Sequence, residues 1–225
     1  MKKFSCILLT NSNKKLSRPI VNLVNKLFNV KLISYHSWKN SKLTSEIITI
    51  FNTRKIDYLF SFLCPVIIPD KLLKITRLKN INLHPAPPEY PGIGSVSRAL
   101  YDERNEFGVT AHLMEKKVDK GKIIKVKRFP ILNDDTCEKI DFKAKQSSID
   151  LMKDILKIFS KEDSDYTCND KWSGVVMKRK KFEEWMLIPL DASKDETDRK
   201  IKALSHSKYP GPFLQIHGHK FAYNK

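Results

Sequence analysis

Asn82, His84 and Asp119 lie in the stretch NINLHPAPPEYPGIGSVSRALYDERNEFGVTAHLMEKKVDKGKII, residues 80–124, and have the types and spacing to do chemistry together. An amide can donate to a developing oxyanion, an imidazole titrates near neutrality, and a carboxylate can orient or charge that imidazole. Asn82 and His84 alternate with Ile81 and Leu83, so a strand here sends the polar pair to one face and the apolar pair to the other. Pro85 ends the strand because it has no N–H for the ladder. The amide and imidazole then sit at the carboxyl end of a strand, where open α/β sheets place their ligands. Taken singly these residues are ordinary: a histidine before proline is commonly structural, and an aspartate before Lys-Gly is commonly a turn residue.

The elements around them read as alternating strands and helices. Phe4 to Thr10 predicts a buried first strand, followed by a loop over Asn11 to Lys15. Ser17 is suited to cap a helix with Pro19 in its first turn, and Ile20, Leu23, Val24 and Leu27 share one face. Val30 to Tyr35 predicts a strand, Lys39 to Thr53 a helix, Asp57 to Phe62 a third strand, and Pro69-Asp70 the start of a short helix. GVTAHLME is a further strand, and Gly121 is placed to make a tight turn into the next one, Ile123 to Ile131. Asp135 with Glu138 resembles a capping box that opens a long helix carrying Met152, Ile155, Leu156 and Phe159 on its apolar face. The polar run SKEDSDYTCND reads as a connector. Beyond it come Trp172, a helix over Glu196 to Leu204 and a hairpin pairing Phe213–Ile216 with Lys220–Tyr223 across Gly218. The pattern predicts an α/β fold, a mostly parallel sheet flanked by helices, with a small C-terminal β-hairpin module. The expected division is 1–162 and 163–225.

Composition narrows the function classes. The chain has 225 residues, with 41% hydrophobic and 10% aromatic content, which suits a globular protein. Its net charge is +17, but 34 Lys against 8 Arg are spread along the whole chain, a solvated surface rather than a phosphate-reading stripe, so no nucleic-acid partner is expected. Cys6, Cys64, Cys137 and Cys168 lie far apart with no Cys-x-x-Cys pair, indicating neither a zinc site nor a disulfide framework. His36, His206, His217 and His219 have no companions at metal spacing, so no metal is expected. The apolar run Phe4–Leu9 is too short for a signal core or a membrane span, pointing to a cytoplasmic protein with no membrane partner. The first loop, TNSNKKLSR, lacks the glycines of a dinucleotide or P-loop site.

Asn82-x-His84-Pro85, the loop PPEYPGIG, a short helix with Ala99, Gly108-x-Thr110-x-His112 and Asp119-x-Gly121-x-Ile123-Ile124 together resemble the 10-formyltetrahydrofolate-dependent formyltransferases. With SFLCPVIIPDKLL upstream, the likeness covers roughly residues 57 to 130, and YPGPFLQIHGHKFAY resembles the end of several members more loosely. It implies a Rossmann-like formyltransferase fold, 10-formyltetrahydrofolate as co-substrate, and Asn82, His84 and Asp119 as catalytic residues, with His112 a supporting strand residue.

In such a reaction an uncharged amine attacks the formyl carbon, an oxygen becomes negative, and the nitrogen must lose a proton. Asn82 would donate to the oxygen; His84 would add a second donor or shuttle the proton; Asp119 would take the proton through water or hold the imidazole. The resemblance puts the folate slot against Val66 and Ile68 on one side and Met114, Glu115, Lys116 and Val118 on the other. It puts the acceptor near Asn11, Ser12, Asn13 and Lys14, although an ordinary polar turn and helix cap would look the same.

About 55 residues follow the connector, too few for the carboxyl-terminal barrel of the methionyl-tRNA enzymes. The first loop also lacks the Gly-Ser-rich sequence of the glycinamide ribonucleotide enzymes. The likeness is therefore greatest to the compact nucleotide-sugar N-formyltransferases, which implies an amino deoxysugar on a nucleoside diphosphate as acceptor and a surface polysaccharide such as O-antigen as its destination. Tyr90, Trp172 and Tyr209 are the aromatic candidates for stacking on the base. The alternatives are another small amine such as glycinamide ribonucleotide, or a basic RNA-binding protein that keeps the fold without the chemistry. The hairpin suggests a homodimer.

Overall fold

The structure, a computed structural model, describes residues 3–161 and 165–223. The expected boundary between 162 and 163 lies outside the described residues, as do three residues of the predicted connector. Six strands form one sheet in the order β2-β1-β3-β4-β5-β6, where β1 is Ser5–Asn11, β2 Asn29–His36, β3 Tyr58–Phe62, β4 Lys79–His84, β5 Glu106–Leu113 and β6 Ile123–Pro130. The pairs β1–β2, β1–β3 and β3–β4 are parallel, while β4–β5 and β5–β6 are antiparallel.

The inner parallel strands β1 and β3 are buried along nearly their whole length because both of their faces are covered. Cys6, Leu8, Tyr58 and Phe60 join one buried cluster, with Ile20 and Val24 of α1 (Lys14–Leu27) and Met152, Ile155 and Phe159 of α5 (Cys137–Phe159). Ile7, Leu9 and Leu59 point the other way, against Ile47 and Phe51 of α2 (Ser45–Thr53) and Leu72 and Leu73 of α3 (Asp70–Leu73).

Three helix starts differ from expectation. Asn13, not Ser17, caps α1 through a bond from the Lys15 N–H, because a side-chain oxygen was available a turn earlier. Ser17 is buried with its hydroxyl on the Asn13 carbonyl, and Pro19 falls inside the helix. Thr44 opens α2 at Ser45 rather than Lys39. Thr136 caps α5 by accepting from Lys139 N–H, while Asp135 binds Leu132 N–H and Lys143.

Beyond α5, Cys168 N–H bonds the Ile123 carbonyl of the edge strand β6, and the chain then forms α6 (Arg179–Trp185), α7 (Lys194–Leu204) and the hairpin β7 (Phe213–Ile216) and β8 (His219–Ala222). The sequence reading did not anticipate α6, which has no side-chain cap. Lys200 of α7 is buried and donates to the Trp185 and Leu187 carbonyls, holding α7 against the end of α6.

Candidate active site

The antiparallel pairing of β4 with β5 sets Asn82 opposite His112 and His84 opposite Thr110. Period-two alternation sends Ile81, Leu83, Val109 and Ala111 into the core, so the four polar residues share the other face. Thr110 donates its hydroxyl to the Ala86 carbonyl at 2.7 Å, fastening the chain that leaves His84. Asp119 arrives from the β5–β6 connection with a left-handed backbone, φ 48°, a conformation aspartate tolerates better than most residues. Gly121, expected to supply backbone freedom, is instead required for space: a Cβ there would overlap the Leu113 carbonyl.

Hydrogen bonds fix the tautomers. His112 Nδ1 lies 2.8 Å from the Leu113 carbonyl and must donate to it, because a carbonyl only accepts. Its Nε2 is then a lone pair in the neutral ring and accepts an Asn82 amide N–H at 3.0 Å. That assigns the amide nitrogen, not its oxygen, to the His112 side, and leaves a second Asn82 N–H for another acceptor. His84 Nε2 donates to the Tyr90 carbonyl at 3.2 Å, so its Nδ1 faces Asp119 Oδ2 at 3.4 Å. Asp119 Oδ1 is 3.5 Å from His112 Nε2, and Oδ2 also accepts the Gly92 N–H at 2.9 Å. The structure thus brings Asn82, His84 and Asp119 together, with His112 bonded to the amide and 3.5 Å from the carboxylate.

Burial holds the His84 pKa below the ordinary histidine value, although Asp119 and the Tyr90 carbonyl favour its cation. Burial alone would raise the Asp119 carboxyl, but His84, His112 and the Gly92 N–H outweigh it and bring it down to about 2. At neutral pH the pair rests as a carboxylate beside a neutral imidazole. A proton reaching His84 Nδ1 would point directly at Asp119.

The segment after residue 165 closes over these loops. Trp172 donates its indole N–H to the Gly121 carbonyl at 2.7 Å, and its ring meets His112 edge-on at 5.0 Å and lies 5.9 Å from His84. Lys120 donates to the Gly174 carbonyl, and Met177 pairs with Gly92, the residue whose N–H holds Asp119. The indole N–H of Trp172 is taken up by its bond to the Gly121 carbonyl. Tyr90 is also spent: its ring is buried beside Phe107, and its hydroxyl donates to Asp102. Tyr209 lies beside His206, whose ring faces Glu138 and Asp141 at the start of α5, and makes no described contact with Asn82, His84, His112 or Asp119.

Among the expected folate contacts, Val66 and Ile68 are buried in the cluster against which Met114 packs. Glu115, Lys116 and Val118 are exposed on the run into Asp119. In the first loop Asn11 donates to the Leu63 carbonyl and accepts from Asn13 N–H, while Asn13 caps α1. Those two side chains build the loop, and Ser12 and Lys14 are presented to solvent.

The structure adds to the predicted trio the contacts of His112, of the Gly92 N–H and of the Trp172 indole. The signal for His112 was its place two residues after Thr110 on an alternating strand; the Gly92 and Trp172 contacts left none.

A model of the formyl transferase family matches residues 5–156. The methionyl-tRNA formyltransferase of Hydrogenobaculum sp. is 37% identical over 91 residues, 40% of this chain and 30% of that relative's length. A sugar N-formyltransferase from Shewanella sp. superposes with a TM-score of 0.79 at 21% identity, covering 99% of this chain and 97% of that one. The N-formyltransferase from Helicobacter canadensis, in complex with folinic acid and dTDP-3-aminofucose, gives 0.68 at 18% identity over 96% and 86% of the two chains. At such identities these structures speak for the fold, while the family match spans most of the chain: this protein belongs to the formyl transferase family.

Proposed function

We propose that the protein transfers the formyl group of 10-formyltetrahydrofolate to the amine of an amino deoxysugar carried on a nucleoside diphosphate. The observation that carries the reaction is the linked set of Asn82, His112, Asp119 and His84 at the carboxyl end of β4 in a formyl transferase fold. As the amine attacks the formyl carbon, the oxygen turns negative beside the second Asn82 N–H, a donor fixed in advance by His112. Losing such a donor typically costs ~100 to 1,000-fold in rate. Neutral His84 takes the amine's proton on Nδ1, directly or through water, and Asp119 stabilises the imidazolium that results. The tetrahedral species then collapses by breaking the formyl carbon's bond to folate N10, which takes up that proton as tetrahydrofolate leaves. The apolar wall of Val66, Ile68 and Met114 suits the folate ring, with the exposed backbone of Glu115 to Val118 available to its polar edge.

The nucleotide-sugar acceptor is supported by likeness along 99% of the chain to a sugar N-formyltransferase. The test is a formyl-transfer assay with 10-formyltetrahydrofolate against amino-sugar nucleotides, glycinamide ribonucleotide and methionyl-tRNA, with His84→Ala run in parallel. Turnover of a sugar nucleotide that the variant loses is the expected result. Turnover of only the ribonucleotide or the tRNA would keep the catalytic set and replace the acceptor, and no turnover of any would refute the reading.

A further inference from the structure

The geometry points to Trp38 and Arg179 as the subsite for the nucleobase and its phosphates, an assignment that rests on the nucleotide-sugar reading above. Trp38 is the most exposed aromatic ring among the described residues, at 64%. It sits at the tip of a tight turn closed by reciprocal backbone bonds between Ser37 and Asn40. That turn leaves the carboxyl end of β2, and the His36 carbonyl takes the Ser12 N–H at 2.7 Å, so Trp38 stands beside the first loop. The Arg179 guanidinium lies over the indole at 5.5 Å. A large apolar ring held in water by a two-bond turn and backed by a cation from 141 positions away has no core to serve.

The location fits an extended ligand that begins at Trp38 and ends at the catalytic amide. Strand order β2-β1-β3-β4 puts three interstrand steps between them, roughly 14 Å at ~4.8 Å each. That is the kind of span a ribose and a diphosphate put between a base and the sugar they carry. The path crosses the end of β1, where the exposed Ser12 and Lys14 side chains stand. Arg179 approaches the same path from the other side: it follows by two residues Met177, which pairs with Gly92 beside Asp119, a step of at most ~7 Å of backbone.

Charge favours a small planar anion over a protein partner. Lys39 follows Trp38 and Lys178 precedes Arg179 in the chain, and the acidic side chain paired with Arg179 is the exposed Glu183 at 4.0 Å. A phosphate could draw the guanidinium from that exposed partner at little cost. The open face of the indole would take the base, while the ribose and diphosphate run toward the first loop. Tyr90 and Trp172 are engaged by the contacts described above and Tyr209 lies beside His206, whereas Trp38 keeps an open ring beside the first loop.

The test is calorimetric titration of the chain with thymidine, thymidine diphosphate and uridine diphosphate, for the wild type, Trp38→Ala, Trp38→Phe and Arg179→Met. Folinic acid titration serves as the control for the rest of the site. Trp38→Ala should weaken diphosphate binding by roughly 5- to 100-fold, the range of a lost base–aromatic stack. Trp38→Phe should restore most of it, Arg179→Met should weaken the diphosphate more than the free nucleoside, and folinic acid should bind all four proteins alike. Unchanged diphosphate binding in Trp38→Ala, a matching loss of folinic acid binding, or a wild type that binds neither diphosphate would each overturn the assignment. If Trp38→Ala loses diphosphate binding while the wild type formylates no nucleotide-linked amine, the subsite stands and the proposed reaction falls. If a sugar nucleotide is formylated with the same KM by both proteins, the reaction stands and the subsite falls.

Discussion

Asp119→Asn tests the electrostatic part of the proposed reaction with little change of shape. The new amide oxygen can still accept the Gly92 N–H that Asp119 Oδ2 holds at 2.9 Å, so the loop keeps its anchor. What disappears is the negative charge 3.4 Å from His84 Nδ1. With an effective dielectric of about 20, unit charges at that separation attract by about 5 kcal/mol, an upper figure for the stabilisation of a His84 cation. A partly transferred proton and residual water reduce it to about 3–4 kcal/mol, or roughly 150- to 900-fold in kcat/KM. The assay is the initial rate of formyl transfer to the acceptor identified in the panel, recorded as a pH profile together with melting curves. The acid limb of kcat/KM, set by protonation of His84, lies below the ordinary histidine value in the wild type, because burial depresses that pKa. It should move lower still in the variant, since the group favouring the cation has gone. A folded variant with kcat/KM within about tenfold of wild type, or with its acid limb displaced upward, would refute the charge-stabilisation argument.

The same carboxyl makes stability depend on pH. Its pKa is depressed from 3.8 to about 2 in the folded protein, so it contributes about 2 kcal/mol above the unfolded value, lost as pH falls toward about 2; denaturant titrations across that window should show a loss that Asp119→Asn lacks. Gly121→Ala forces a methyl into the Leu113 carbonyl and should cost about 1–3 kcal/mol by overpacking, read as a lower melting temperature and a fallen kcat. Trp172→Phe keeps a ring near the histidines but strips the bond to the Gly121 carbonyl; the expected loss is about 1–3 kcal/mol, with kcat falling more than the folate KM. Thr136→Ala removes the α5 cap, which should lower stability by about 1 kcal/mol, or about 2–4 °C in Tm, and leave the kinetics unchanged.

Local chemistry explains why so much of the parallel half of the fold was legible. Strands β1 to β4 fell within a few residues of their predicted positions, because the doubly covered β1 and β3 are apolar along most of their length and Pro85 ends the alternating β4. Helix starts were less legible: Ser17, Lys39 and Asp135 were plausible first residues, but Asn13, Thr44 and Thr136 had side-chain oxygens able to close the first turn. The surroundings of the aromatic candidates were illegible for a similar reason. Sequence shows that a ring is present at Tyr90 or Trp172 but not which of its faces are already occupied, and it gave no reason to single out Trp38.

By itself the sequence determined which side chains could act and where the strand carrying two of them would end, because alternation and proline act over a few residues. It also determined the family resemblance, because separated motifs kept their order and spacing. The tertiary structure alone decided that β5 runs antiparallel to β4, which lays His112 against Asn82. It also decided that Asp119 takes a left-handed backbone anchored by Gly92, and that Trp172 crosses from the carboxyl-terminal segment to brace that loop. Each of these depends on which distant backbone groups find one another during packing, a choice settled by the whole sheet and invisible in any short window of residues.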